Sequence, residues 1–447
     1  MDSPAPTALP LSRKTLALYA APCLPLAGVG LPMIVLLPAY FAQDLGLELS
    51  VVGLVFTAVR LADIGLDPLL GLIMDRTRSR WGRFRPWMAI GAPIMMLAVA
   101  LLFFARRGVG PLYLAVGVGT AYFGWSICVL AQSAWGALLS PAFHERSRIY
   151  GWWQAFNLIG LLMAVAAPVI AAAAGYRSQG QGVAAVGALL LLLFPLTFAL
   201  ALGGVDEPVA GPSPPSRRAD WASLVRRAAV WRVLGADLIL GLGFGVQASL
   251  FLFYFEAVKG LPAAGANLLL LVYFLAALAG GPAWTMLARR IDKHRALAAS
   301  CLAYVAGLAA LWAIPRGDFG FAVAAGVVAG LPYSAPNLLS RSMLADAGDE
   351  DRLAGGADRT GQLYALLNAT TKVGAALAVG LTFVGLDIAG FHPSGGGNSG
   401  GALMGLSLLF LAAPAALNLA GAALLLDYPL TATRHAQIRA ALDRAGL

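Results

Sequence analysis

The sequence is short of charge. Of its 447 residues, 12% are Asp, Glu, Lys or Arg, about half the share a soluble globular chain carries. A large water-soluble enzyme is thereby excluded. Histidine is scarcer still: His144, His294, His392 and His435 fall in loops or tails, at no shared depth, and offer no metal set. The three cysteines, Cys23, Cys128 and Cys301, lie inside apolar runs and read as small buried side chains, not as a disulfide framework. H-E-x-x-H and Walker A patterns are missing. Their absence argues against a membrane-embedded hydrolase and against an ATP-driven pump. No cofactor is expected.

What is abundant is apolar residues, 59% of the chain. The runs lie near 15–42, 51–74, 87–105, 111–138, 150–174 and 183–203, then near 231–256, 263–288, 296–314, 319–344, 360–386 and 401–426. Each is about the 20 residues that cross a bilayer. Lipid offers no partner to an unpaired backbone group, so runs of this length must be helices. The expectation is an all-α membrane protein with twelve transmembrane helices in two six-helix halves. The halves are 1–204 and 231–426, joined by a Pro/Ser/Arg-rich linker at 205–230 and followed by a tail at 427–447. The polar start MDSPAPTALPLSRK precedes an apolar segment without a small-residue cleavage site, so that segment is read as a retained helix.

The net charge is +9. In a soluble chain that would raise nucleic acid as a partner. Here the basic residues sort by loop: 24 of the 31 Lys and Arg fall on one side of the spans and 5 on the other, with Arg60 and Lys372 inside spans. The excess marks the cytoplasmic side. Both termini are therefore expected in the cytoplasm, and no nucleic-acid partner is needed to explain the charge. The halves also rhyme. GLIMDRTRSRWGRFR (71–85) follows the second span and MLARRIDKHR (286–295) follows the eighth, as in the repeats common among secondary transporters.

Two carboxylates stand out. Asp63 and Asp67 are four residues apart near the middle of the second span, so they project from one helix face. An ionisable group at that depth costs about 2.5–3.5 kcal/mol on insertion scales and needs a partner or a use. One reading is a cation site, holding Na+ on hard oxygens or a proton on a titratable pair; the other is an internal salt bridge to Arg60. Lys372 is the only lysine inside a predicted span, about a dozen residues into the eleventh, where snorkelling to the interface is hard. Such buried charge argues against a transport-dead scaffold.

Three blocks carry a family resemblance. RLADIGLDPLLGLIMDRTRSRWGRFRPW (60–87), AWGALLSPAFHERSRIYGWWQAF (134–156) and LPYSAPNLLSRSMLADAGDEDRLAGGADRTGQLYALLNATTKVGAAL (331–377) resemble the major facilitator superfamily. More narrowly, they resemble its glycoside–pentoside–hexuronide:cation symporter family, of melibiose permease-like type. The resemblance implies the major facilitator fold and H+- or Na+-coupled symport of a small organic solute such as a sugar or glycoside. It also implies a monomer in the bacterial inner membrane. It places the coupling cation on Asp63 and Asp67, with Lys372 facing them. It assigns Gly71, Asp75 and Arg76 to a cytoplasmic gate, through a charge contact between helices, and Asp346 and Arg359 to a counterpart in the second half.

The chain departs from the family at several of these positions. Leu66 replaces an asparagine beside the cation, and the helix-four threonine falls on Cys128 or Val129. Fewer neutral oxygens favour H+ over Na+, because hard cations need several oxygen ligands. The family's sugar-binding aspartates and arginine fall on Ala27, on Ala131 or Gln132, and on Gln154. The remaining cavity candidates are Gln132, Trp135, Gln154, Asn157, Gln247, Tyr254, Tyr273, Tyr333, Asn337 and Asn368, with Trp125, Trp152 and Trp153 adding aromatic surface. An apolar, aromatic cavity suits an amphipathic solute, and the broad group includes a vertebrate lysophospholipid symporter. A lipid-like substrate is thus the alternative.

Overall fold

The computed structural model describes residues 10–34, 36–173, 179–208, 221–355, 358–391 and 398–445. In chain order the helices are α1 (Arg13–Ala20), α2 (Cys23–Ile34), α3 (Leu36–Ala39), α4 (Leu49–Arg76), α5 (Arg85–Phe103), α6 (Pro111–Leu138), α7 (Phe143–Ala173), α8 (Gln179–Gly204) and α9 (Trp221–Val225). Then come α10 (Ala228–Phe253), α11 (Ala263–Ile291), α12 (Lys293–Trp312), α13 (Phe319–Gly330), α14 (Ser334–Gly355), α15 (Thr360–Ile388), α16 (Gly400–Ser407), α17 (Ala413–Leu425) and α18 (Ala432–Ala445). Among the described residues there is no strand, and nine helices are long and apolar enough to cross a membrane.

The sequence-expected spans differ from these helices where proline or charge intervenes. The first span is interrupted after α1 and closes on a π-helical turn at Tyr40–Asp44; Pro22 and Pro25 lie around that interruption, and a proline lacks the N–H that a helix interior needs. The tenth is broken between α13 and α14 around Pro332, and α14 runs on to Gly355, past the apolar stretch. Most of the expected linker lies outside the described residues. The expected tail holds a formed helix, α18, with His435 and Ile438 buried.

The chain packs as two compact units. The first comprises 1–219 with 351–365 and 442–447; the second comprises 220–350 with 366–441. The opening turn of α15 thus groups with the first unit and the rest of α15 with the second. In the first unit α4 and α5 pack on α6, and α2 packs on α7. In the second, α10 and α12 pack on α17, and α11 packs on α13. The second unit carries two π-helical turns, Tyr254–Val258 and Leu408–Ala412. They meet through stacked rings, Tyr254 on Phe410 at 4.2 Å between centroids.

Candidate functional site

Asp63 and Asp67 sit on the buried face of α4, 1% and 0% exposed. From α6, whose residues 126–137 are all buried, the Ser126 hydroxyl donates to Asp63 Oδ1 at 3.0 Å. The sequence did not single out Ser126, since a lone serine inside an apolar helix carries no distinctive signal. It supplies an oxygen that Leu66 cannot. Cys128 faces elsewhere: its sulfur lies against Gly91 of α5. Two carboxylates and a hydroxyl are hard oxygen donors, the chemistry that a proton or a small hard cation requires. Lys372 is buried in the second unit, on α15.

A second constellation joins the end of α4 to the start of α15 within the first unit. The Asp75 carboxylate accepts from the backbone N–H of Gly361 at 2.7 Å and of Gln362 at 2.9 Å. These first-turn donors have no helical acceptor, and the helix dipole favours an anion there. Gly71 permits the approach, since a Cβ on it would lie 2.6 Å from the Gly361 carbonyl oxygen. The guanidinium at this site is Arg83, 3.8 Å from Asp75 and 3.0 Å from Asp358. Arg76 is exposed, so the charge contact expected from Asp75 and Arg76 is made instead by Asp75 and Arg83. Helix geometry explains the exchange: adjacent residues project in different directions, whereas the loop returns Arg83 to Asp75.

Glu207 holds that loop in place. Its carboxylate accepts from the backbone N–H groups of Arg83, Phe84 and Arg85 at 2.6, 2.9 and 3.0 Å, capping the start of α5. Gly82 turns the chain at φ +106°, and a Cβ there would meet the Glu207 carboxylate. The two acids beside Arg83 are pushed apart in acidity. Burial raises Asp75 to about 7, with Arg83 opposing and Asp358 adding to the rise. Burial pushes Asp358 up too, but the Arg83 charge and hydrogen bonds from Thr360 outweigh it and hold Asp358 below its usual value.

Asp346 and Arg359, expected as counterparts, belong to different clusters. Arg359 pairs with Asp351 in the first unit. In the second unit, Asp346 lies 2.5 Å from Lys293 of the RRIDKHR segment and 3.6 Å from His435 of α18. His435 also meets Asp349 at 2.9 Å, and Asp292 accepts from the Ala432 N–H. The start of α18 is thereby fastened within the second unit.

The cavity candidates divide by use. Gln132 is committed to packing: its side-chain amide donates to the Tyr19 backbone carbonyl and its backbone carbonyl accepts from the Tyr19 hydroxyl, both at 2.9 Å. Trp135 is fully buried, edge-on to Tyr19. Asn157 bonds back to the Trp153 carbonyl, and Asn337 accepts from Arg341 one turn on. Gln154 and Asn368 are buried. In the second unit, Gln247 and Tyr333 each meet Tyr273. Tyr273 and Tyr304 both donate to the Gln247 carbonyl oxygen, and Tyr333 packs edge-on against Phe244 and Tyr273. Tyr254 is stacked in the core.

Comparison with known proteins agrees with this architecture. The family described as "MFS/sugar transport protein" matches residues 18–432. An uncharacterized symporter of Synechocystis is 24% identical over 90% of this chain and 92% of its own length. The lactose permease of Lactobacillus delbrueckii is 25% identical over 72% of this chain, and the raffinose carrier protein of Pediococcus pentosaceus 23% over 74%; the match spans 54% of each of those two longer chains. Among solved structures, a bacterial homologue of the iron transporter ferroportin in its outward-facing state aligns with TM-score 0.70 at 14% identity, over 93% of this chain and 99% of its own. The E. coli fucose:proton symporter aligns with TM-score 0.63 at 18% identity, over 91% and 98%. These two establish the fold. The family description and these names do not support the lipid-like alternative. The chain belongs to the MFS/sugar transport protein family: it is a multi-pass membrane transporter of the major facilitator fold and not an enzyme.

Proposed function

We propose that this protein couples the downhill entry of a cation, H+ or Na+, to symport of a sugar or small glycoside. The observation that carries the reading is the pair of buried carboxylates on one face of α4, with Ser126 donating to Asp63. Ionised, the pair is costly in a low-dielectric interior; a bound proton or Na+ removes that cost. Occupancy therefore biases the conformational equilibrium, which is what coupling requires. A proton needs only one carboxylate. The Ser126 hydroxyl adds a neutral oxygen that also serves Na+. The family resemblance also gives Lys372, buried on α15 in the second unit, a part in coupling.

Ala27 and Gln154 stand where the family places charged sugar ligands. Recognition of the solute is accordingly assigned to neutral donors and aromatic faces, with Gln247 and Tyr333 in the second unit as the leading candidates. Asp75, Gly71 and Arg83 are assigned to the gate, on the cytoplasmic side that the basic loops mark. Uptake of labelled lactose, raffinose and monosaccharides into proteoliposomes, under an imposed pH gradient or an imposed Na+ gradient, tests the reading. Accumulation of a sugar driven by one of the two gradients supports it; uptake that ignores both gradients contradicts it.

A further inference from the structure

A buried carboxylate outside the site described above lies in the second unit. Asp237, on α10, is 7% exposed and faces α15 one residue before Lys372. The hydroxyls of Thr370 and Thr371 lie 3.0 and 2.8 Å from the same oxygen, Asp237 Oδ2. Both hydroxyls also reach the Leu367 carbonyl oxygen, at 2.8 and 2.9 Å. A hydroxyl carries one hydrogen and two lone pairs, so this arrangement has two complete patterns. With Asp237 ionised, the threonines donate to the carboxylate. With Asp237 protonated, the carboxyl O–H donates to one threonine, and the threonines turn their hydrogens to Leu367.

The charged group facing Asp237 is Arg341 of α14, and α17, which packs on α10, carries no charge. Arg341 also donates to the Asn337 carbonyl at 3.1 Å, so it keeps a partner when Asp237 is neutral. We propose that Asp237, Thr370 and Thr371 form a second proton-binding site, on the helix that carries Lys372. One proton from solvent binds Oδ2 and the same proton leaves; no other bond changes. This goes beyond the proposed symport, and its test reads no transport, so the two stand or fall separately.

Infrared difference spectra of the purified full-length protein, taken through a pH titration, decide the matter. In an Asp63→Asn/Asp67→Asn/Asp75→Asn background the protonated-carboxyl C=O bands that appear as pH falls should include one component that Asp237→Asn removes. Thr371→Val should move that band to higher wavenumber by weakening the carboxyl's hydrogen bond, while Thr371→Ser leaves it in place. The threonine pair decides the question even if Asp237→Asn fails to fold. No band assignable to Asp237 at any pH, meaning permanent ionisation beside Arg341, overturns the proposal. So does a band that added Na+ abolishes at constant pH.

Discussion

A carboxylate removed from water must be neutralised, paired or used. Asp63 and Asp67 were legible in the sequence because their type is so out of place in an apolar run. Ser126 was not, since serine is tolerated throughout membrane helices as a helix-to-helix donor. Its hydroxyl is the residue-scale feature most open to test. Hydrogen bonds to charged groups contribute about 1.5–3 kcal/mol, and 1.4 kcal/mol is tenfold in affinity. Ser126→Ala should therefore change the concentration of coupling ion giving half-maximal uptake by roughly tenfold, and Ser126→Thr should restore it. An unchanged ion dependence in Ser126→Ala would remove the hydroxyl from the site. Asp75 gives a second residue-scale prediction. Folded, it holds its proton to about 7; unfolded, an aspartate releases it near 4. The stability this group contributes is full below the unfolded value and is lost as pH rises through the folded one. Over about pH 4–7 the wild type should lose apparent melting temperature relative to Asp75→Asn; parallel curves would contradict the assignment.

At the scale of elements, hydropathy located the helices but not their ends. α14 continues through Asp346, Asp349 and Asp351 to Gly355 because those carboxylates find Lys293, His435 and Arg359. Partners let such a helix continue past its apolar stretch, and a window of hydropathy cannot see partners. The same blindness left α18 as a featureless tail. Arg76 was chosen for its place in a motif, whereas Arg83, seven residues on and in a loop, makes the contact. At Gly71, α4 comes close to the backbone of α15. A methyl there strikes a backbone carbonyl, which cannot rotate aside, and overpacking of this kind costs about 1–3 kcal/mol. Gly71→Ala should lower the apparent melting temperature in detergent, and Gly71→Val should lower it further. If both variants melt like the wild type, α4 and α15 do not approach as described.

At the scale of the whole molecule, composition and the sorting of basic loops were enough to reach an all-helical membrane transporter, and three short blocks pointed to its family. The grouping of 351–365 with the first unit was hidden, because it depends on Asp75 reaching backbone N–H groups nearly three hundred residues away. Substrate recognition was the least legible part. The positions where the family places charge are here Ala27 and Gln154, and neutral polar residues in helices serve packing as readily as binding. Gln132 shows this directly. The measurement that bears most directly on coupling compares two assays on one reconstituted protein: sugar accumulation against an ion gradient, and sugar exchange with no gradient. Asp63→Asn and Asp67→Asn should each abolish accumulation while exchange persists. Accumulation that survives both substitutions would mean that these carboxylates do not carry the coupling ion.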